Sequence, residues 1–164
     1  MPGRSHKPVE IVNILTDAPG RIAASTAGLD LAQLRLAPAP DEWSATEVLA
    51  HIRACADVWG SCIASILSED RPTLRAVSPR TWIRKTNYPD IESGSSLRSF
   101  TVQREELLVL LKPLLPADWS RAATVNRAGK ILEETTLSYA DRLASHELQH
   151  VEQIECTAEA VSTS

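Results

Sequence analysis

The sequence predicts an all-α protein, a four-helix bundle with long crossover connections. Three observations carry this. Four stretches of the chain place apolar residues at the 3.6-residue helical period. No stretch of useful length alternates apolar and polar residues as a half-buried strand does. Prolines and glycines gather where the helical patterns stop. At 164 residues the chain forms a single domain, 1–164, with its core between about residues 8 and 160.

The first helical pattern runs from Val9 to Ala27, with Val9, Val12, Leu15, Ile22 and Leu29 on its apolar side. Pro19 and Gly20 interrupt it, which predicts a kink or restart near Asp17. A short segment, Asp30 to Leu36, leads into the sequence APAPDEW, whose prolines impose an extended connection. The second helix has the clearest start. Ser44-Ala45-Thr46-Glu47 reads as a capping box, in which the Ser44 hydroxyl accepts from the Glu47 N–H and the Glu47 carboxylate reaches back. Trp43 and Val48 occupy the staple positions around it. The helix continues to Leu67. At 100° per residue, Val48, His51, Cys55, Val58 and Cys62 share one face, and Leu49, Ile52, Ala56 and Ile63 form an adjoining strip.

The connection from Ser68 to Gly94 contains Pro72, Pro79 and Pro89 together with Trp82 and Tyr88. Its length suits a crossover or a lid over one end of the bundle. A third helix follows from Ser95 to Leu111, with Leu97, Phe100, Leu107, Leu108, Leu111 and Leu115 as its apolar residues and Pro113 and Pro116 closing it. Residues 117–134 read as irregular, with Trp119 and a turn at Ala128-Gly129. The fourth helix starts near Thr136 and runs to Ala160. Tyr139, Leu143, His146, His150, Ile154 and Val161 share one of its faces, and Arg142, Gln149 and Glu152 point away.

Composition narrows the function. The formal net charge is −4 and no basic stripe is present, which argues against nucleic acid as a partner. No run of about 18 apolar residues exists to span a membrane. The N-terminal MPGRSHKPVE lacks the apolar core of a signal peptide, and three cysteines without framework spacing suit a reducing compartment. The expected location is the cytoplasm and the expected partner a small-molecule substrate.

Three of the four histidines lie on apolar helix faces. His146 and His150, four residues apart, present their rings one turn apart. His51 comes from another helix. Three imidazoles from facing helices are a donor set for zinc, nickel, iron or manganese. Three protein ligands leave coordination open to water or substrate, as catalytic metal sites do. The alternative is a set of interfacial histidines bonded to backbone or carboxylate. HELQH also matches the zinc-protease pattern HExxH, but the third protease ligand is missing downstream: Cys156 stands at the sixth position after His150, and Gln153 replaces the intervening glycine.

Glu147 follows His146 and is the candidate general base or acceptor for a ligand imidazole; a bundle-rim carboxylate with a solvent or arginine partner is the plainer reading. Glu47, one turn before His51, is explained by its cap, with a metal role as the lesser alternative. Cys55, one turn after His51 on the same face, reads as a small buried hydrophobe, with a metal-ligating or redox-active thiolate as the alternative. Arg80, Trp82, Arg84 and Lys85 are candidates for holding an anionic substrate or cofactor if the long connection caps the histidines; a solvated basic loop is the alternative. Trp43, Trp59 and Trp119 read as core or staple residues.

Two blocks resemble the DinB/YfiT-like metalloenzyme family. PAPDEWSATEVLAHI has the family's proline-rich lead, Trp-Ser helix start and histidine a turn or two inside. LASHELQHVEQI is similar to its closing motif of two histidines, four apart, followed by Gln-Ile. Trp82 and the segment LKPLLPADWSR are weaker matches. The resemblance covers about residues 10 to 155. It implies a four-helix bundle with long crossovers and one divalent metal held by His51, His146 and His150. Some relatives use a low-molecular-weight thiol as cofactor for S-transfer or isomerisation. Many others have no known activity. The leading expectation is a thiol-dependent transferase acting on a small electrophile, with Arg80, Trp82 and Arg84 of the long connection as the candidates for holding the cofactor. The rival reading is a metal-binding bundle without catalysis, acting as a homodimer. A third is a metal-assisted hydrolase with Glu147 as base.

Overall fold

The computed structural model describes residues 4–163. Four long helices build the molecule: α1 (Pro8–Thr26), α3 (Ala45–Ser68), α5 (Ser93–Leu111) and α7 (Thr136–Ser162). Short elements fill the connections: α2 (Leu31–Leu34), α4 (Pro79–Ile83), a 3₁₀ turn (Tyr88–Asp90) and α6 (Pro116–Trp119). The helices close a ring: α7 packs against α1 and α3, and α5 packs against the same two from the other side. Leu15, Ile22, Ile52, Ile63, Phe100, Leu111, Leu143 and Ile154 meet in the middle, each essentially sealed from solvent. No helix is long and apolar enough to cross a membrane among the described residues.

The four expected helices are present within a few residues of their expected bounds. Four details differ. First, α1 runs unbroken through Pro19. Proline has no N–H, so the carbonyl of Leu15, four residues earlier, loses its helical donor. Arg104 on α5 supplies a substitute, its Nη1 donating to the Leu15 oxygen at 3.0 Å. The helix is continuous because a buried guanidinium fills the gap.

Second, the apolar stripe of α1 is Ile11, Leu15, Ala18 and Ile22. Val9 and Leu115, counted with the apolar faces from sequence, are 65% and 68% exposed, because each lies at a helix end beyond the reach of a neighbour. Third, the Ser44 hydroxyl accepts from the Glu47 N–H at 3.2 Å, but among the described residues the reciprocal bond from the Glu47 carboxylate is absent.

Fourth, the chain forms a small sheet where none was expected. Strands β1 (Thr73–Arg75), β2 (Ala122–Arg127) and β3 (Lys130–Thr135) lie in the order β1-β2-β3. The first pair is parallel, with Leu74 opposite Val125. The second is an antiparallel hairpin, with Val125 opposite Leu132. Its turn is the expected Ala128-Gly129, and both residues have positive φ (51° and 85°), as a two-residue hairpin turn of this hand requires. The strands escape a pattern search because burial does not alternate along them: Ala122 and Ala123 are both buried, while Ile131 is 66% exposed. The sheet aims the chain that leaves it. Pairing with β2 fixes β1, and the Ala76 N–H donates to the Asn126 carbonyl at 2.9 Å, so the chain departs in a set direction toward α4.

Candidate metal centre

The first ligand candidate, His51, is placed by the start of α3. The Ser44 cap fixes the first turn. Thr46 ties that turn to its surroundings, donating to the Leu34 carbonyl at 2.9 Å and sharing a 2.6 Å hydroxyl contact with Ser93. The other two come from α7, whose start is a reciprocal cap: Ser138 N–H donates to Thr135 Oγ1 at 3.0 Å, and Thr135 N–H to Ser138 Oγ at 2.8 Å. Packing of α7 against α3 then brings the three rings together.

The ring nitrogens converge. His146 Nε2 lies 3.3 Å from His51 Nε2 and 3.1 Å from His150 Nε2. Two imidazole nitrogens on one ion, each about 2.0–2.1 Å from it, stand about 2.8–3.0 Å apart in cis-octahedral and about 3.3–3.4 Å apart in tetrahedral arrangement, a span of about 2.8–3.4 Å. Both observed separations fall in that interval. His150 Nδ1 faces the Gln153 amide oxygen at 2.8 Å. A ring proton held there leaves the Nε2 lone pair free for a ligand, which is how an outer partner sets the tautomer of a metal-binding histidine. Among the described residues, buried His146 Nδ1 has no hydrogen-bond partner.

Electrostatics keep two of the rings neutral. Burial lowers the pKa of His51 to about 4, helped by His150 and then by Arg80. Burial also lowers that of His146 to about 4, helped by His150 and His51. Metal ligation needs the unprotonated ring, so these two arrive in the competent state at neutral pH. The pairs His51–His146 and His146–His150 thus each have the spacing of two ligands on one divalent cation, and His51 and His146 are neutral as ligation requires.

Cys55 is buried, as expected of a small hydrophobe, but its sulfur reaches the cluster. Sγ lies 3.6 Å from His51 Nε2, and His51, Cys55 and His146 offer ligand atoms within 4.8 Å of one another. Burial pushes the Cys55 thiol up to about 12, with the Glu147 carboxylate adding to the effect. Two tryptophans read as core or staple residues also meet the histidines. Trp43 stacks beside His150 at 6.4 Å and tilts against His51 at 5.1 Å between ring centroids, while Trp59 meets His146 edge-on at 5.2 Å. Aromatic walls exclude water around a polar centre. No sequence spacing links Trp59 to His146, which lie on different helices.

Glu147, the expected general base, is committed elsewhere. It is 1% exposed and its carboxylate is clasped by both terminal nitrogens of Arg104, itself 2% exposed; the Nη2–Oε2 contact is 2.6 Å. A carboxylate whose two oxygens are held by one guanidinium inside the core is not free to collect a proton from a substrate. Its neighbour in sequence, His146, faces the cluster; Glu147 faces α5 and α1.

The long connection reaches His51. His51 lines a cleft of about 620 Å³, within the usual size range of small-ligand sites, about 300–1,000 Å³. Arg80 and Ile83 of α4, the following Arg84, and Glu47, Trp43 and Pro89 line the rest. Arg80 and Arg84 are therefore brought to the cleft that His51 lines. Trp82 is not: it lines a separate cleft beside Val58 and Cys62, and its indole N–H donates to Asp57 at 2.9 Å. On a five-residue helix, Trp82 points to the opposite side from its basic neighbours.

Comparison with known proteins agrees with the fold. Residues 14–154 match the family model of the DinB superfamily, and the chain belongs to that superfamily. Among solved structures, it is similar in fold to YfiT from Bacillus subtilis, described as "a probable metal-dependent hydrolase with an unusual four-helix bundle topology". The TM-score is 0.73 at 14% sequence identity, covering 95% of this chain and 91% of that one. No curated protein matches it significantly.

Proposed function

We propose that this member of the DinB superfamily is a divalent-metal-dependent enzyme that uses a low-molecular-weight thiol to act on a small electrophile. His51, His146 and His150 would hold the metal. One observation carries the reading: His146 Nε2 stands at metal-ligand spacing from the Nε2 atoms of both His51 and His150, and His51 lines a cleft that also presents two arginines. Bound there, a divalent cation would act as a Lewis acid and lower the pKa of an incoming thiol or water.

The chain's own residues favour a thiol. Glu147, the carboxylate next to His146 in sequence, is locked to Arg104 and does not serve as a base. A thiol, with a pKa of about 8.5, gives up its proton far more readily than water at about 15.7, and needs less help from a base. Arg80 and Arg84 provide positive charge for a carboxylate or other anionic group on the thiol or its partner. Trp43, Ile83 and Pro89 supply apolar contact.

A metal-assisted hydrolase is the second reading, and Glu47 is what favours it. Its carboxylate makes no reciprocal cap bond and lines the same cleft as His51, in the position the sequence assigned to Glu147. The YfiT description points the same way for that protein.

Metal analysis of the untagged protein, followed by a panel of thiols and esters, separates these. The expected result is about one equivalent of metal per chain, lost in His150→Ala, and thiol-dependent conjugation of model electrophiles that chelator abolishes. Protein that stays metal-free when offered zinc, nickel and manganese sinks both readings. Turnover of esters without thiol, abolished by Glu47→Gln, selects the hydrolase. Stoichiometric metal with no turnover on any thiol or ester leaves a non-catalytic metal-binding bundle, and its self-association would then be the property to measure.

A further inference from the structure

The segment that carries Arg80 and Arg84 over the histidines is weakly held by packing. Neither α4 nor the 3₁₀ turn Tyr88–Asp90 has a buried residue. Helices this short have no stability of their own, so something else must fix them. Among the described residues, hydrogen bonds within 78–91 are mostly internal: Trp82 N–H to the Ser78 carbonyl, Lys85 N–H to Trp82, Asp90 N–H to Asn87. Two bonds leave the segment, and both end on the same atom. Trp82 Nε1 donates to Asp57 Oδ2 at 2.9 Å, and the Tyr88 hydroxyl donates to it at 2.6 Å.

Asp57 belongs to α3, six residues after His51, and does not line the histidine cleft. Its other oxygen accepts from the Gln103 amide of α5. One turn earlier on α3, Arg53 lays its guanidinium over the Tyr88 ring, 3.8 Å from the centroid, and donates to Ser96 at 2.9 Å. Tyr88 is thus held at its hydroxyl and across its face by two residues of the helix that carries His51. Burial and the Asp57 bond both raise the Tyr88 pKa, so its hydroxyl remains a donor. A single carboxylate therefore ties the covering segment at both ends to the same helix that supplies a ligand candidate.

We propose that Asp57 is a positioning residue: it latches residues 79–90 onto α3 through Trp82 and Tyr88, and so holds Arg80 and Arg84 over the histidine cleft and gives that cleft its preference for anionic ligands. The latch stands on the bonds themselves. The ligand preference rests on the metal reading of the cleft.

The experiment has two arms, each on the full chain with Asp57→Asn and with the double variant Trp82→Phe/Tyr88→Phe. The double variant keeps the carboxylate on its Gln103 bond and removes only the segment's two donors, so it tests the latch even if Asp57→Asn folds poorly. The first arm is limited trypsin digestion, since Arg80, Arg84 and Lys85 all lie in the segment. Losing two hydrogen bonds to a charged acceptor should speed cleavage at these sites on the order of tenfold or more, with the circular dichroism of the bundle unchanged. Cleavage at the wild-type rate in both variants overturns the latch.

The second arm loads the protein with cobalt(II) and titrates it with mercaptoacetate or neutral 2-mercaptoethanol, read by the visible spectrum. Wild type should prefer the anionic thiol on the order of tenfold, and the variants should lose that preference while binding 2-mercaptoethanol as before. A purely structural role would shift both thiols alike, and that result overturns the positioning role. If cobalt does not bind wild-type protein, the metal reading fails and the ligand preference falls with it; the digestion arm still decides the latch.

Discussion

Replacing Arg104 with methionine tests how a proline can sit inside a packed helix of this bundle. Arg104 makes two kinds of contact in the core. It clasps the Glu147 carboxylate, and it donates to the Leu15 carbonyl that Pro19 leaves without a helical partner. Methionine removes both. An unpaired buried charge left by breaking such an ion pair costs about 3–5 kcal/mol, and an orphaned buried carbonyl adds about 1–3 kcal/mol. Together these approach the whole stability of an ordinary domain, about 5–15 kcal/mol. The two components separate by cycle. Arg104→Met with Glu147→Leu removes both charges, and its loss should fall to the carbonyl component alone.

Adding Pro19→Ala restores an N–H to Leu15. In the Arg104→Met/Glu147→Leu background this should recover about 1–3 kcal/mol beyond what the same change does in wild type, where Arg104 already occupies the carbonyl. Urea unfolding followed by circular dichroism, with unchanged slope, gives the four free energies. If Pro19→Ala changes stability equally in both backgrounds, Arg104 does not substitute for the missing donor, and the account of the unbroken helix is wrong.

Two further predictions concern the histidine cluster. Cys55→Ser should retain about one equivalent of metal, because burial pushes the Cys55 thiol up to about 12 and makes it a poor donor beside three imidazoles; a near-ultraviolet sulfur-to-cobalt band in wild type that the variant lacks would make Cys55 a ligand instead. The metal-free protein should lose stability on acidification. His51 and His146 fall to about 4 in the folded state from an ordinary 6.5. The unfolded chain therefore binds more protons in that interval, and the stability present above pH 6.5 drains away as the pH falls toward about 4. His146→Gln should flatten the pH dependence of the urea midpoint, and an unchanged slope would refute the assignment.

The long helices were legible because periodicity over five or more turns is a strong signal, and the histidines because their spacing places His146 and His150 on one face of such a helix. The rest depended on partners far apart in the chain. Glu147 looked like a candidate base because it sits beside His146 in sequence; a shift of one residue turned it 100° around the helix, into the core, where Arg104 awaited it. Glu47 looked fully used by a cap that the structure shows half made. Trp82 was grouped with Arg80 and Arg84 by proximity along the chain, yet a short helix sends it to the other side. The strands were hidden because β2 buries neighbours and β3 exposes an isoleucine, as happens when a three-stranded sheet is tucked against helices.

These misplacements share a cause that bears on function. The histidines are set by long helices: His51 by α3, His146 and His150 by α7, with α7 further pinned through Glu147 to Arg104 on α5. The arginines are set by a segment with no buried residue, tied through Asp57. Ligand geometry thus draws on the most cooperative part of the molecule, and the cleft's charge on the least. Local opening is governed by how much a segment buries, so residues 79–90 can release while the histidines stay in register. On the proposed function, substitutions in that segment should move substrate preference by altering KM and leave metal content intact. Substitutions at the Arg104–Glu147 pair should reduce folded protein and metal together, because they act on the helix that carries two of the three ligands.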